Sequence, residues 1–370
     1  MKSILYVGMD VHKDTYSLCA LDPNTNQVVN EVRCAADPKL VKRFVEHTAK
    51  QYPDDTTFLT GYEAGCLGYS LYKSLQSLDI PCVILAPTTM VNSVKGRVIK
   101  NDKMDARMIA NNLAAQTYTS VYVPDQSDEE IKEYIRMRQS FKKSQKRIKQ
   151  QISALLLRQG LRYSKTKWTP SHLEWIKALN LASTLKTILD EYLVELEDLS
   201  VKIARFDDQI ALFAQGERYQ EQVGKLVCLK GIAVPSAMTI HVEISDFSRF
   251  SSARKFMAYL GLVPSEHSSG DKIRKGALTK QGNSTVRTTL IECTRGLIRG
   301  QIGHRSKVVV ARQRGQSAAV ISYADRAVER LQRHYHHLIE NGKSANVAVV
   351  AIARELAGFI WGLETGQIDF

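Results

Sequence analysis

Four carboxylates are the residues of this chain whose types and spacing could do chemistry. Asp10 ends the apolar run of "GMDVHKD", and Glu63 ends that of "GYEAG". Asp102 and Asp105 stand three apart in "NDKMDAR". A spacing of three puts both of these acids on one helix face. Taken singly, a strand-end aspartate is most often a turn or cap residue, and D-x-x-D is most often plain surface. Taken together, from three separate elements, they suit another task. Four converging acids can hold two Mg2+ ions, or Mn2+ in their place, about 3.5–4 Å apart, to activate an attacking oxygen and steady a leaving one in phosphoryl transfer. Lys13, Asp14 and Arg107 are flanking charges outside that set. Gly8, Gly61 and Gly65 fit either close approach of another backbone or tight turns.

The elements around these acids follow from pattern. "SILYVGMDV", "TYSLCALD" and "QVVNEVRCA" read as a three-strand meander, with "DPNTN" as one of its turns. "PKLVKRFVEHTAKQ" has helical spacing, "TTFLTGYEAG" reads as a strand, "LGYSLYKSLQSL" as a helix and "PCVILAP" as a buried strand. Three strands, helix, strand, helix, strand is the order of a ribonuclease-H-like α/β fold, although many α/β domains begin similarly. In such a sheet the acids could meet at one edge.

Beyond residue 126 the signals become helical. "RQSFKKSQKRIKQ" carries Arg138, Lys142, Lys143, Lys146, Arg147 and Lys149 with no acid, a face suited to a phosphate backbone. Leu185, Leu189, Tyr192, Leu196, Leu199, Ile203, Phe206, Ile210 and Phe213 step by four and three, about 42 Å of apolar seam. That period fits a dimerising coiled coil or an internal hairpin equally well. A glycine turn at Gly231 resembles that of a phosphate-binding helical hairpin. Residues 264–283 are polar and basic, with helices again to the end. Three regions result: 1–125 with the carboxylates, 126–222 helical, and 223–370 mainly helical.

Composition narrows the partners. The 370 residues carry 51 Lys and Arg against 38 Asp and Glu, a net charge of +13 that favours polyanions through counterion release. The six cysteines contain no CxxC pair and sit mostly in apolar runs, as buried thiols of a reducing compartment do. The N-terminal apolar run is too short for a signal peptide, and no run approaches a membrane span. The expectation is a cytoplasmic, nucleic-acid-binding protein.

With these residues in hand, the chain resembles the transposases of the insertion-sequence one-ten family. These are DEDD-type recombinases with a RuvC-like N-terminal domain, a group that includes the Piv-type DNA invertases. "VGMDVHKD", "YEAG" and "KNDKMDARMIA" match the family's first domain. "FSSARKFMAYLGLVPSEHSSG" and "LTKQGNSTVRTTLIE" match its C-terminal transposase domain. The resemblance implies that Asp10, Glu63, Asp102 and Asp105 are the metal-binding tetrad. It also implies that Ser269 is a nucleophile forming a phosphoserine link with DNA, that a structured bridge RNA guides donor and target, and that dimers assemble into tetramers.

Without the family, "SSG" reads as a turn, and the residues alone leave Ser268 and Ser269 as rivals. Lys272, Arg274, Lys275, Lys280 and Arg287 could hold a scissile phosphate, and Asn283 with Ser284 looks like an anion-binding helix start. Two other functions stay open: a RuvC-type junction nuclease using water, and a non-catalytic nucleic-acid scaffold. The intact tetrad argues against the scaffold.

Overall fold

The computed structural model describes residues 4–91, 101–266 and 275–368. The chain divides into two compact units, Met1–Val123 and Pro124–Phe370.

The first unit is built on a five-stranded sheet. Its strands are β1 (Ile4–Val11), β2 (Thr15–Asp22), β3 (Gln27–Ala35), β4 (Thr57–Glu63) and β5 (Cys82–Leu85), in the spatial order β3-β2-β1-β4-β5. The meander β1-β2-β3 is antiparallel, and β4 and β5 extend it in parallel beyond β1. α1 (Pro38–Ala49) leads from β3 to β4 and α2 (Ser70–Ser77) from β4 to β5, and α3 (Asp102–Ala115) follows the sheet.

Because side chains alternate along a strand, β1 serves two cores. Val7 and Met9 pack with Leu18, Phe44, Tyr62 and Leu75 under α1 and α2. The opposite face belongs to α3: Cys19 and Leu21 meet Ala106 and Ala110, while Leu85 meets Ile109 and Leu113. Gly8 explains how close α3 comes. A Cβ there would stand 2.1 Å from the Ala106 carbonyl oxygen and 2.3 Å from the Ala110 nitrogen, both rigid backbone. Gly61 is crowded by the side chains of Leu85 and Leu113, whereas Gly65 has open space around it. Close approach is therefore the reason for Gly8, and nothing comparable holds at Gly65.

The second unit is mainly helical. A long helix, α4 (Gln126–Arg158), leads through α5 (Pro170–Lys177) to α6 (Ser183–Ala214). Tyr134 meets Phe213 and Phe206, Phe141 meets Phe206, and Gln145 bonds Ser200, so α4 and α6 run antiparallel. Leu189, Leu196, Leu199, Phe206 and Ile210 are buried, and Leu189, Leu196 and Leu199 share a core with Ile148, Ile152 and Leu155 of α4. The apolar seam is thus the inner face of a hairpin within one chain. Of the two arrangements that the period fits, the internal hairpin is the one this chain forms, with α4 covering the stripe.

Further helices complete this unit: α7 (Gln220–Leu226), α8 (Val234–Ile244), α9 (Ala253–Tyr259), α10 (Ser284–Leu297), α11 (Lys307–Gln313), α12 (Ala318–Glu340) and α13 (Ala345–Thr365). A short antiparallel pair, β6 (Pro264–Glu266) with β7 (Lys275–Leu278), precedes α10. Ile135 and Ile210 of the hairpin share one core with Met238, Leu290 and Ile352, so regions 126–222 and 223–370 are not separate bodies. Gly231 holds φ at +90°, and its Cβ would stand 2.3 Å from the Cys293 carbonyl oxygen. That glycine serves helix packing. One sequence expectation needs adjustment: α13 is long and apolar enough to cross a membrane, at mean hydropathy 1.4. It instead runs through the core, with Ile352, Leu356 and Ile360 fully buried.

A methyl group at Gly8 cannot rotate away from backbone. Gly8→Ala should push α3 off β1, destabilising the first unit by about 1–3 kcal/mol or more. Thermal unfolding with amide exchange along α3 measures this; a variant with native melting and native α3 protection contradicts the packing argument.

Candidate active site

The carboxylates are positioned by strand register. Met9 lies opposite Tyr62 in the parallel β1-β4 pair, so the next residues, Asp10 and Glu63, end neighbouring strands on the same edge. On the other side Asp10 is opposite Ser17, and Ser17 is opposite Arg33, forming one row across β1, β2 and β3. Cross-strand partners share a face, and this face is the one α3 covers.

Asn101 caps α3, its side chain accepting from the Met104 N–H at 2.9 Å. The cap starts the helix at Asp102 and places Asp102 and Asp105 in its first turn. Negative charge is favoured there by the helix dipole. Asp10 and Asp102 come together with a third group, His12. Its Nε2 lies 3.2 Å from Asp10 Oδ2 and 3.7 Å from Asp102 Oδ1. Arg33 reaches across from β3, its Nη2 lying 3.5 Å from Asp102 Oδ2. One donor atom from each of Asp10, His12 and Asp102 can be chosen so that all lie within 4.8 Å of one another.

Two carboxylates and an imidazole, with no thiolate, can hold a divalent cation. Glu63 and Asp105 stand outside this trio: Glu63 is exposed at the end of β4, and Asp105 is half-buried in the first turn of α3. An open cleft of about 560 Å³, bounded by Ser17, Arg33, Asn101, Asp102 and Lys103, lies beside the trio. His12 and Arg33 were not among the residues singled out from sequence. His12 carried a weak signal, its nearness to Asp10 just past the end of β1; Arg33 carried none, since only the register of β3 brings it to Asp102.

Glu31 of β3 clamps α3 from the row that contains Gly8 and Cys19. It accepts two hydrogen bonds from the Arg107 guanidinium and an ion pair from Lys103 at 2.7 Å. Hydrogen bonding by Arg107, aided by Lys103 and opposed by burial, draws the Glu31 carboxyl down to about 2. Arg107, the flanking charge of the motif, is thus a positioning residue for the helix that carries Asp102.

The basic residues divide into two groups. Lys142, Lys143, Lys146 and Arg147 are exposed on α4. Arg138 is not: only 13% of its side chain is accessible and it pairs with Asp207 of α6. Asn283 caps α10 by accepting from the Val286 N–H, and its amide donates to buried Glu243 at 2.8 Å. Arg287 donates to the carbonyls of Leu260 and Gln281 at 2.8 and 2.9 Å. Each of these three residues is thus engaged within the protein. Lys280 is exposed, at φ +54°. Ser268 and Ser269, with Lys272 and Arg274, lie outside the described residues, as does the Lys275 side chain; the flanking strands pair Glu266 with Lys275 and Pro264 with Leu278. Burial pushes the thiols of Cys82, Cys228 and Cys293 up to about 11, which removes them as nucleophiles near neutral pH.

A carboxyl held below its ordinary range stabilises the fold above that range and loses the contribution as pH falls. Arg107 and Lys103 remain 44% and 65% exposed, so screening trims the effect to about 1–2 kcal/mol. Glu31→Gln should lower the melting temperature at neutral pH, and the gap to wild type should close between about pH 5 and pH 2. A gap that stays constant across this range would show that Glu31 does not act through its charge.

Comparison with known proteins identifies the family. A family model described as a transposase, of the DEDD IS110 type, matches residues 7–159. A second, described as "Transposase IS116/IS110/IS902 family", matches residues 225–308. A putative transposase of Sinorhizobium fredii is 33% identical over 97% of this chain and 88% of its own length. The transposase of insertion sequence element IS1533 from Leptospira borgpetersenii is 28% identical over 91% of this chain and 97% of its own. That of IS1111A from Coxiella burnetii is 25% identical over 99% and 91%. The two matched segments carry the carboxylates and the basic serine segment, in that order, and the chain belongs to the IS110 family of transposases.

Proposed function

We propose that this chain cuts and rejoins DNA as a metal-dependent recombinase, by way of a covalent phosphoserine intermediate. The observation that carries the reading is the convergence of Asp10 and Asp102 beside an open cleft, in a chain of this family. The sheet order, three antiparallel strands followed by two parallel ones, supports a ribonuclease-H-like, RuvC-like first unit.

Asp10 and Asp102 would hold a divalent cation, with Glu63 and Asp105 completing the tetrad, and two ions are expected. When bound, the cation supplies Lewis acidity at the phosphate and lowers the pKa of a coordinated hydroxyl. Gly8 and Glu31 keep Asp102 in place. Ser269 is the assigned nucleophile. Its Oγ forms a bond to phosphorus while the bond from phosphorus to one sugar oxygen breaks. The serine proton is given up, and the departing sugar oxygen takes one on. The ester is exchanged and not hydrolysed, so a second sugar hydroxyl can later displace the serine and rejoin the strand without ATP. Lys272, Arg274, Lys275 and Lys280 would balance charge on the phosphate. The reading requires Ser269 and the carboxylates to act on one phosphate, within one chain or across two subunits.

The partners are donor and target DNA and a structured bridge RNA, held partly by Lys142, Lys143, Lys146 and Arg147. Assembly through dimers to tetramers would use surfaces other than the hairpin seam.

Incubated with its element ends, guide RNA and Mg2+, the wild type should form a denaturation-resistant protein–DNA adduct that maps to Ser269. Ser269→Ala should abolish both adduct and recombination while leaving metal and nucleic-acid binding intact. Asp102→Asn should slow adduct formation at least about a hundredfold. If Ser268→Ala is the inactive variant, the nucleophile is its neighbour. If neither serine matters, water attacks and the protein is a junction nuclease. Separately, neutralising Lys142, Lys143, Lys146 and Arg147 to glutamine should reduce the slope of log K against log salt by about three. An unchanged slope removes this face of α4 from the binding surface.

A further inference from the structure

The far end of the α4–α6 hairpin carries aromatic and basic chemistry that the carboxylate and serine sites do not use. Between the end of α4 and the start of α5, four rings gather. Tyr163 lies 4.7 Å from His172 and 5.1 Å from Trp175, centroid to centroid. His172 and Trp175 are nearly parallel, at 14°, and Trp168 meets His172 edge-on at 5.2 Å. Beside the rings an open cleft of about 480 Å³ is lined by Leu157, Leu161, Arg162, Tyr163, Lys167 and Trp175, with His172 also on its wall. That volume lies within the range of small-ligand sites.

His172 is the buried polar group of the wall. It is only 2% exposed, and its Nδ1 accepts the Trp168 backbone N–H at 2.9 Å. Nε2 is therefore the nitrogen that carries the proton of the neutral ring, a hydrogen-bond donor. Leu157, 61% exposed, forms an apolar lip. The charged residues on the cleft, Arg162 and Lys167, are both basic and exposed, and the stretch around them, with exposed Arg158 and Lys165, contains no acid. Lys149 adds its ammonium 5.5 Å above the Trp168 ring. An aromatic cluster that only closed a core would fill its own space and need no such rim.

Flat π-faces, an apolar lip and a buried donor suit a nucleobase, and the rim cations suit the phosphates on either side of it. Bases inside a duplex are stacked and paired, and cannot enter. We propose that this cleft binds an unpaired nucleobase of a single-stranded nucleic acid, with the base on the Tyr163–Trp175 rings and the adjoining phosphates on Arg162 and Lys167. The site is independent of metal and of Ser269.

The test uses the full chain in EDTA, so that no cleavage intervenes. Oligo-uridine and oligo-deoxyuridine probes, each bearing one 5-iodouracil, are irradiated with the protein, and adducts are mapped by mass spectrometry. An adduct on Tyr163, Trp168, His172 or Trp175 is expected, retained in Ser269→Ala and Asp102→Asn, and the probe that yields it identifies RNA or DNA as the source. Tyr163→Ala should weaken single-strand binding about tenfold or more while duplex affinity holds, and Tyr163→Phe should restore it. Should Tyr163→Ala fail to fold, the exposed double variant Arg162→Glu with Lys167→Glu should suppress the adduct. Adducts confined to other segments, or equal losses of single-strand and duplex binding in a folded Tyr163→Ala, overturn the proposal. So does an undiminished adduct in the double charge variant.

Discussion

The first unit depends on how closely one helix can lie on one strand. A side chain at position 8 would overlap the α3 backbone, with 2.1 Å between its Cβ and the Ala106 carbonyl oxygen. Hydrogen in place of a methyl lets α3 sit on β1, and the rest of the site follows from that distance. Small residues on the helix side, Ala106 and Ala110, complete the contact and are buried. Because α3 begins at Asp102, its seating on Gly8 also decides how far Asp102 stands from Asp10. Packing of this kind has no directional preference along the helix axis, and the Glu31 clamp on Arg107 and Lys103 supplies one. Apolar contact sets the height of the helix above the sheet, and the ion pairs set its position along it.

The second unit solves a different problem, that of a chain with a large cationic surplus. Some positive groups are neutralised inside. Glu243, 1% exposed at its side chain, accepts both nitrogens of Arg136 at 2.9 and 3.2 Å and the Asn283 amide. Lys132 lies buried close by, its ammonium pushed down by burial and drawn back by the Glu243 charge. A buried carboxylate without such partners would cost several kcal/mol, so these residues define how α4, α8 and α10 meet. Asp128 is held in the same manner by Arg218 and the Tyr219 hydroxyl. The cations left outside are the ones a polyanion can reach. Among them are Lys142, Lys143, Lys146 and Arg147 on α4 and Arg162, Lys165 and Lys167 in the loop beyond it.

Membership of the IS110 family makes both units parts of one transposase. Membership does not by itself distinguish residues that touch nucleic acid from residues that hold helices together. Arg138, Asn283 and Arg287 fall within matched segments, yet their hydrogen bonds are made within the protein.

The strands, the first helices and the acids at their ends were legible in the sequence, because alternation, caps and turn residues are local signals. Asp10, Glu63 and the Asp102–Asp105 pair could be placed on elements for that reason, and the Asn101 cap agrees with the helix start. A heptad seam is also local, but its partner is not: period alone cannot say whether Leu196 meets another chain or Ile152 of its own. The antiparallel return of α6 along α4 is what brings Leu196 to Ile152. Register decided the rest. Ser17 and Arg33 join the row of Asp10 because of how three strands pair, and Glu31 joins that of Gly8 for the same reason. Charge is legible in the sequence as a total and not as a distribution. A side chain's exposure depends on which distant segment lies against it, as Asp207 does against Arg138 and Glu243 against Asn283, and no pattern along the chain encodes that neighbour.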